Sequence, residues 1–262
     1  MRNVVLNCDS VEGLKQIPDG TVELTVTSPP YGSLRTYGHG KGWDFEGTAK
    51  ELYRVTCEGG VVCWNIGDQV IDGSETLEPF RQGLFFLECG FRMHDRMVYH
   101  KRNFSNPEKV RYHQVFEDVF VLSKGAPRTF NPIRDKVNKS FGETNWGVNS
   151  VTQRDGSKEW RKKNVSGEFG MRGNVWEGKT RAQEEGANVL PHPAMMPMWL
   201  ARDLILSWSN KGDLVCDPFV GSGTVTELAK RLGRDYIGID ISNKYVKELI
   251  EPRLANISPL FA

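Results

Sequence analysis

Two stretches of the chain place ligand-holding residue types at spacings that chemistry needs. Asp217-Pro218-Phe219-Val220-Gly221-Ser222-Gly223-Thr224 follows the apolar run Leu214-Val215-Cys216 and opens a helical pattern. At such a strand-to-helix junction glycines let the backbone approach a ligand, and the helix start offers free N–H groups. Asp240 closes the next apolar run, Tyr236-Ile237-Gly238-Ile239, twenty-three positions after Asp217. A carboxylate there can accept hydrogen bonds from both hydroxyls of a ribose. The loop fails the dinucleotide fingerprint, because its third glycine position holds Thr226, and it fails the P-loop pattern, because no Lys-Ser/Thr follows the glycines. The additional acid, Asp217, suits a ligand that carries positive charge, such as an ammonium or a sulfonium.

The second stretch is Thr27-Ser28-Pro29-Pro30-Tyr31-Gly32. Two prolines rigidify a turn and remove two N–H donors. What remains for a ligand is a pair of acceptors, the Ser28 hydroxyl and the Pro29 carbonyl, beside the aromatic plate of Tyr31. That combination suits a planar ring with an exocyclic amine, whose two hydrogens would be accepted while the ring stacks.

The elements that must position these residues alternate between strand and helix. Val4-Val5-Leu6 and Val22 to Thr27 read as strands, the second ending at the prolines. Ser10 to Ile17 reads as a short amphipathic helix with Ser10 as a candidate N-cap. Thr48 to Val55 and Leu77 to Cys89 read as helices, Gly59-Gly60 as a turn, and Val61 to Ile66, Arg96 to Tyr99 and Val115 to Leu122 as strands. From Pro191 onward the pattern is helix (Met198 to Ser209), strand, glycine loop, helix (Thr224 to Leu232), strand and a final helix (Asn243 to Leu254). This is the grammar of a parallel sheet covered on both faces. The order predicts three zones: 1–124, a polar and glycine-rich insert at 125–190, and 191–262.

The 262 residues are 39% hydrophobic and 26% charged, an ordinary globular composition with no apolar run of the length a membrane helix needs. The apolar part of the N-terminus is too short for a signal peptide, so a cytoplasmic protein is expected. Five cysteines without a C-x-x-C pair suggest neither a zinc knuckle nor a disulfide framework, and no metal is expected. Three of them lie in apolar runs of strand-like character: Cys63, Cys216, and Cys89 in Leu87-Glu88-Cys89. The net charge is only +1, but Lys124 to Arg181 holds thirteen basic against six acidic residues, and Arg92 to Arg111 six against two. Aromatics interleave both stretches, a pattern that fits a polyanion partner. Arg102, Lys109, Arg111, Arg161, Lys162, Lys163 and Arg172 are the candidate phosphate contacts.

Together these residues resemble the β-class of S-adenosylmethionine-dependent DNA amino-methyltransferases. Ser28-Pro29-Pro30-Tyr31 is similar to its catalytic motif, and Asp217 to Thr224 to its D-P-F-x-G-x-G-T cofactor motif. His192-Pro193-Ala194-Met195-Met196-Pro197 resembles the H-P-A-x-x-P element ahead of that loop. Asn7-Cys8-Asp9-Ser10 resembles the segment whose acid lies near the cofactor's adenine. Motif order matches as well, with a basic target-recognition region between the two halves.

The resemblance implies a Rossmann-like α/β methyltransferase fold: a circularly permuted, mostly parallel seven-stranded sheet with helices on both faces, plus an inserted target-recognition region. Ser28, Pro29, Pro30 and Tyr31 would act on a flipped base. Asp9, His192, Asp217, Pro218, Phe219, Gly221, Gly223, Thr224 and Asp240 would hold S-adenosyl-L-methionine. Ser at the first catalytic position is closer to the N4-cytosine enzymes than to the D-P-P-Y adenine enzymes, so N4 of cytosine is the expected target and N6 of adenine the alternative. A catalytically silent DNA- or cofactor-binding module, or an RNA or protein methyltransferase, is the alternative of another class. The implied partners are double-stranded DNA and a cognate restriction endonuclease, with the chain a monomer or homodimer. The Pro-Cys nucleophile of carbon-5 cytosine enzymes is absent.

Overall fold

The computed structural model describes residues 1–30, 43–102, 109–139, 141, 148–162, 167–181, 195–255 and 257. The chain divides into two compact units, one formed by Met1–Asn131 with Asn174–Ala262 and the other by Pro132–Gly173. In chain order the elements begin with β1 (Val4–Asn7), α1 (Ser10–Lys15), β2 (Val22–Thr27), α2 (Phe45–Val55) and β3 (Thr56–Ile66). Next come β4 (Val70–Ile71), β5 (Ser74–Glu75), α3 (Glu78–Glu88), β6 (Arg92–Lys101) and β7 (Phe116–Ser123). The smaller unit holds β8 (Arg134–Val137), β9 (Val148–Thr152), β10 (Lys158–Lys162) and β11 (Phe169–Met171). The chain then returns to the larger unit with β12 (Val175–Gly178), α4 (Met198–Trp208), β13 (Leu214–Asp217), α5 (Thr224–Arg231) and β14 (Asp235–Asp240). A last helical stretch follows, with a π-helical turn at Val246–Ile250 between Asn243–Tyr245 and Glu251–Ala255.

The larger unit is built on one sheet in the order β1-β14-β13-β2-β3-β7-β6-β12. All neighbours pair in parallel except β7, which is antiparallel to both β3 and β6. The last two strands in sequence, β13 and β14, therefore sit between β1 and β2, which is the permuted order expected. The seven expected strands are joined by an eighth, β12, a short edge strand beside β6 whose four residues are too few to stand out in a polar region.

Strand alternation feeds two cores. Val62, Trp64 and Ile66 of β3, Phe120 and Leu122 of β7, Leu214 and Cys216 of β13, and Ile237 and Ile239 of β14 pack with Leu14, Leu52, Val55 and Phe86 of α1, α2 and α3. The residues between them, such as Cys63, Val119, Val121 and Val215, are also buried, as expected of a sheet covered on both sides. Trp64 is wholly buried, and its indole N–H donates to Gln82 Oε1 at 2.8 Å, which settles the polar end of an otherwise apolar side chain.

Several local expectations change. Asp9, not Ser10, caps α1, accepting from Val11 N at 2.9 Å. The Gly59-Gly60 turn is instead an irregularity within β3. Thr56 pairs with Val22 and Val61 with Leu24, so the residues between them bulge, and Gly59 supplies a φ of +75°. The helix expected over Leu77 to Cys89 is α3, and Cys89 caps its C-terminus, so the strand-like look of Leu87-Glu88-Cys89 is helical in fact. The smaller unit, within the insert for which no strand was expected, forms two two-stranded antiparallel sheets, β8 with β11 and β9 with β10. All four residues of β8 are exposed, so no apolar alternation announces it.

Gly13 shows how closely α1 lies on the sheet. A Cβ there would stand 2.7 Å from Ile239 Cγ2, and Ile239 is fully buried in β14. Alanine is the better helix former, yet Gly13→Ala is expected to lower stability by about 1–3 kcal/mol through overpacking. Denaturant unfolding checks this, and an unchanged midpoint would show that α1 can ride away from the sheet.

Candidate active site

Four adjacent parallel strands end together. Asn7 of β1 is opposite Asp240 of β14, Asp217 of β13 is opposite Gly238, and Cys216 is opposite Thr25 of β2. The C-terminal edge therefore gathers Asp9, Asp240, Asp217 and Ser28 from four consecutive strand ends, where open α/β sheets bind ligands.

Asp217 is only 4% exposed. Its Oδ1 accepts from the Thr27 hydroxyl at 2.7 Å and from the Phe219 N–H at 3.1 Å. Burial pushes its carboxyl up to about 7, against the two hydrogen bonds that hold it down, and the nearby Asp240 adds to the rise. A buried acid poised in this way is stabilised as a carboxylate by a cationic ligand.

The glycine loop folds over the end of β14. Val220 N donates to Ile239 O at 3.0 Å and Gly221 N to Asp240 Oδ2 at 2.9 Å. Gly221 has φ +51° and Gly223, which starts α5, φ +83°, conformations that side chains disfavour. The other oxygen of Asp240, Oδ1, accepts from Ser242 N at 2.8 Å. Each carboxylate oxygen thus accepts from one backbone N–H. Pro218 and Thr224 lie at the two ends of this turn, Thr224 buried with its hydroxyl 3.3 Å from that of Ser222. Phe219 stands edge-on to Trp43, with ring centroids 5.0 Å apart, and joins the aromatic group of Trp43, Phe45 and Trp64.

Pro29 is buried, and Ser28 and Pro30 are half-buried beside the end of β2. Asp9 is half-buried, and Asn7 ties β1 to the neighbouring strand end by donating from Nδ2 to Asp240 O at 2.9 Å. Tyr31, His192 and Lys163 lie outside the described residues.

The basic candidates divide. Lys109 is exposed, and Arg161 and Lys162 lie in β10. Three others are engaged within the chain: Arg102 pairs with Glu177 at 3.1 Å, Arg111 donates to Gly73 O, and Arg172 is paired with Asp135 inside the smaller unit. The Arg172 guanidinium holds the Asp135 carboxyl below the usual carboxylate range.

Two contributors lie outside the residues expected from sequence. Thr27 links the end of β2, just before Ser28, to the start of the glycine loop through Asp217, a contact across 190 positions. Arg253, in the last helical turn, donates from Nη1 to Ser222 O at 2.7 Å and pairs with the buried Glu227 of α5, bracing the glycine loop from behind. No local pattern marks either, because each role depends on a distant acceptor.

The raised Asp217 pKa has a signed consequence. Its folded value, about 7, exceeds the ordinary 3.8, so between these values the folded chain holds a proton that the unfolded chain has released. Stability from this group is therefore full below about pH 4, declines as pH rises toward about 7, and is level above. Asp217→Asn keeps Oδ1 for Thr27 and Phe219 and removes the decline. The ligand-free variant should melt above the parent at about pH 8, with the gap closing toward pH 4. Equal melting temperatures at both pH values would contradict the buried carboxylate.

A family model described as DNA methylase (N6_N4_Mtase) matches residues 22–251. Orphan methyltransferase M.BamHII of Bacillus amyloliquefaciens is 46% identical over 245 residues, covering 92% of each chain. Among solved structures, the fold is similar to that of PvuII DNA methyltransferase (cytosine-N4-specific), with TM-score 0.67 and 19% identity over 98% of this chain and 89% of the other. It is also similar to the M1.HpyAVI–SAM complex, with TM-score 0.59 and 18% identity over 92% and 94% of the two chains.

Proposed function

The chain belongs to the N6/N4 DNA methylase family, and from that premise we propose that it transfers the methyl group of S-adenosylmethionine to N4 of cytosine in double-stranded DNA. The observation that carries this reading is the adjacency of two strand ends: Ser28 and Pro29 follow β2 directly beside Asp217 and its glycine loop.

The residues present fit the cofactor. Asp217 is a buried acid whose ionised form calls for a cation, Asp240 places a carboxylate at the end of the neighbouring strand, and Gly221 and Gly223 give the loop backbone the positive φ values it needs. When bound, S-adenosylmethionine supplies an electrophilic methyl on a sulfonium. The chain's part is to hold and orient. Asp217, Asp240 and Asp9 fix the ligand at three strand ends, and Phe219 contributes an aromatic wall.

An exocyclic amine is a weak nucleophile because its lone pair is delocalised into the ring. The Ser28 hydroxyl and the Pro29 carbonyl accept its two hydrogens, favouring a pyramidal nitrogen as positive charge develops, and so stabilise the transition state more than the ground state. Orientation of the two reactants supplies on the order of 7–11 kcal/mol. The amine is inaccessible within a duplex, so the base is flipped out and stacked, a role assigned to Tyr31. The region 125–190, with its basic surplus, reads the DNA, and Lys109, Arg161, Lys162 and Lys163 contact phosphates. Arg102, Arg111 and Arg172 first serve the ion pairs and hydrogen bond described above. A neutral Ser at the first catalytic position favours cytosine over adenine.

The test is transfer of labelled methyl from S-adenosylmethionine into duplex DNA by the purified chain. Label in the DNA supports the reading. Cofactor binding without transfer to any DNA would replace it with a silent binding module, and label in RNA or protein alone would overturn the DNA assignment.

A further inference from the structure

We propose that Asn65 and Glu117 are positioning residues that tune Ser28 from behind. Asn65 accepts the hydrogen of the Ser28 hydroxyl, and Glu117 strengthens that acceptor through the Asn65 amide. This role rests on the methyl-transfer reading and concerns what lies behind the reacting serine.

In β3 the run Val61-Val62-Cys63-Trp64-Asn65-Ile66 is apolar except for Asn65, which is only 2% exposed. Trp64 and Ile66 belong to the core shared with α2 and α3, so strand alternation turns Asn65 to the other face of the sheet. Register puts this amide at the reacting end. Thr27 of β2 pairs with Trp64, and one step on Asn65 is level with Ser28. Neighbouring strands run about 4.8 Å apart, a gap that a serine and an asparagine side chain span with one hydrogen bond.

Behind Asn65 the donors and acceptors have a fixed order. Asn65 Nδ2 donates to Glu117 Oε2 at 2.7 Å, and Lys101 Nζ donates to Glu117 Oε1 at 3.0 Å. The Lys101 and Glu117 side chains are 19% and 14% exposed, so solvent screens the pair little. A carboxylate only accepts, which orients the amide with Nδ2 toward Glu117 and Oδ1 away from it. The Ser28 hydroxyl then turns its hydrogen to Oδ1 and its lone pairs to the target amine. Donation from Nδ2 shifts amide electron density onto Oδ1, and donation to Oδ1 does the same for the serine oxygen. A neutral serine is a weaker acceptor than an aspartate. Glu117 supplies the missing charge from two hydrogen bonds away.

Stability does not account for this set. Desolvation offsets the Coulombic gain of a buried ion pair, and apolar residues of similar volume commonly do as well. Cys63, two residues before Asn65, and Val119, its partner on β7, are buried at neighbouring positions, so apolar side chains suit this part of the sheet.

Single-turnover transfer into duplex DNA at saturating cofactor tests the proposal through a double-mutant cycle. Glu117→Gln keeps an acceptor for Asn65 and removes the charge. It should slow transfer by about tenfold, with cofactor affinity and melting temperature near those of the parent. In the Ser28→Ala background the same change should cost less than about twofold, because the hydroxyl through which Glu117 acts is gone. A purely structural role would slow both backgrounds alike. A Glu117→Gln rate equal to the parent's, or an equal loss in both backgrounds, would overturn the proposal and leave methyl transfer in place. No transfer by the parent would overturn both.

Discussion

Asp240→Ala should weaken binding of S-adenosylmethionine by about 100-fold, a change of about 2.8 kcal/mol. The substitution removes two contributions at once. It deletes the acceptors proposed for the ribose hydroxyls, and charge-assisted hydrogen bonds of this kind contribute about 1.5–3 kcal/mol each. It also strands the N–H groups of Gly221 and Ser242, which Asp240 Oδ2 and Oδ1 now hold at 2.9 and 2.8 Å. The glycine loop loses its tether to the end of β14 and must be ordered again by the ligand. Asp240 is half-exposed and lies at the sheet edge, so melting temperature should change little. Calorimetric titration of the parent and variant checks the effect. A loss of less than about threefold would mean that the loop, not the acid, recognises the cofactor.

Ser28→Ala should show the complementary pattern. Transfer should slow by about 10²–10³, the range for losing one preorganised partner of the transition state, while cofactor affinity stays near that of the parent. The reasoning is geometric. Ser28 follows β2, whereas the loop proposed to hold the cofactor follows β13, and the Thr27–Asp217 hydrogen bond joins the two strand ends. Removing the hydroxyl leaves that link intact. Single-turnover rates with saturating cofactor separate the two effects. An undiminished rate would remove Ser28 from the reacting centre, and an equal loss in affinity and rate would make it a binding residue instead.

Much of this arrangement was legible from residues alone, for physical reasons. Strands β13 and β14 are buried on both faces and so read as unbroken apolar runs, each ending on an acid at the C-terminal edge of the sheet. The prolines after Thr27 end β2 unambiguously, because they cannot donate to a ladder. The sheet order was a matter of family likeness, since parallel strands leave no local trace of their neighbours.

What stayed hidden depends on distance or on exposure. The Thr27–Asp217 bond and the Arg253 brace on Ser222 join positions far apart in the chain. Arg172 read as a surplus cation because Asp135 lies thirty-seven positions away across the β8–β11 pair. The bulge in β3 resembled a turn because glycine serves both.

The most direct measurement digests duplex DNA to nucleosides after incubation with the chain and S-adenosylmethionine, and identifies the methylated one by mass. N4-methylcytosine is the expected product and would support both the amino-methyl chemistry and the Ser28 reading of the base. N6-methyladenine would keep the site and contradict the choice of cytosine. Methyl on carbon, or none in DNA while the cofactor binds, would contradict the account of Ser28 and Pro29 as acceptors for an exocyclic amine.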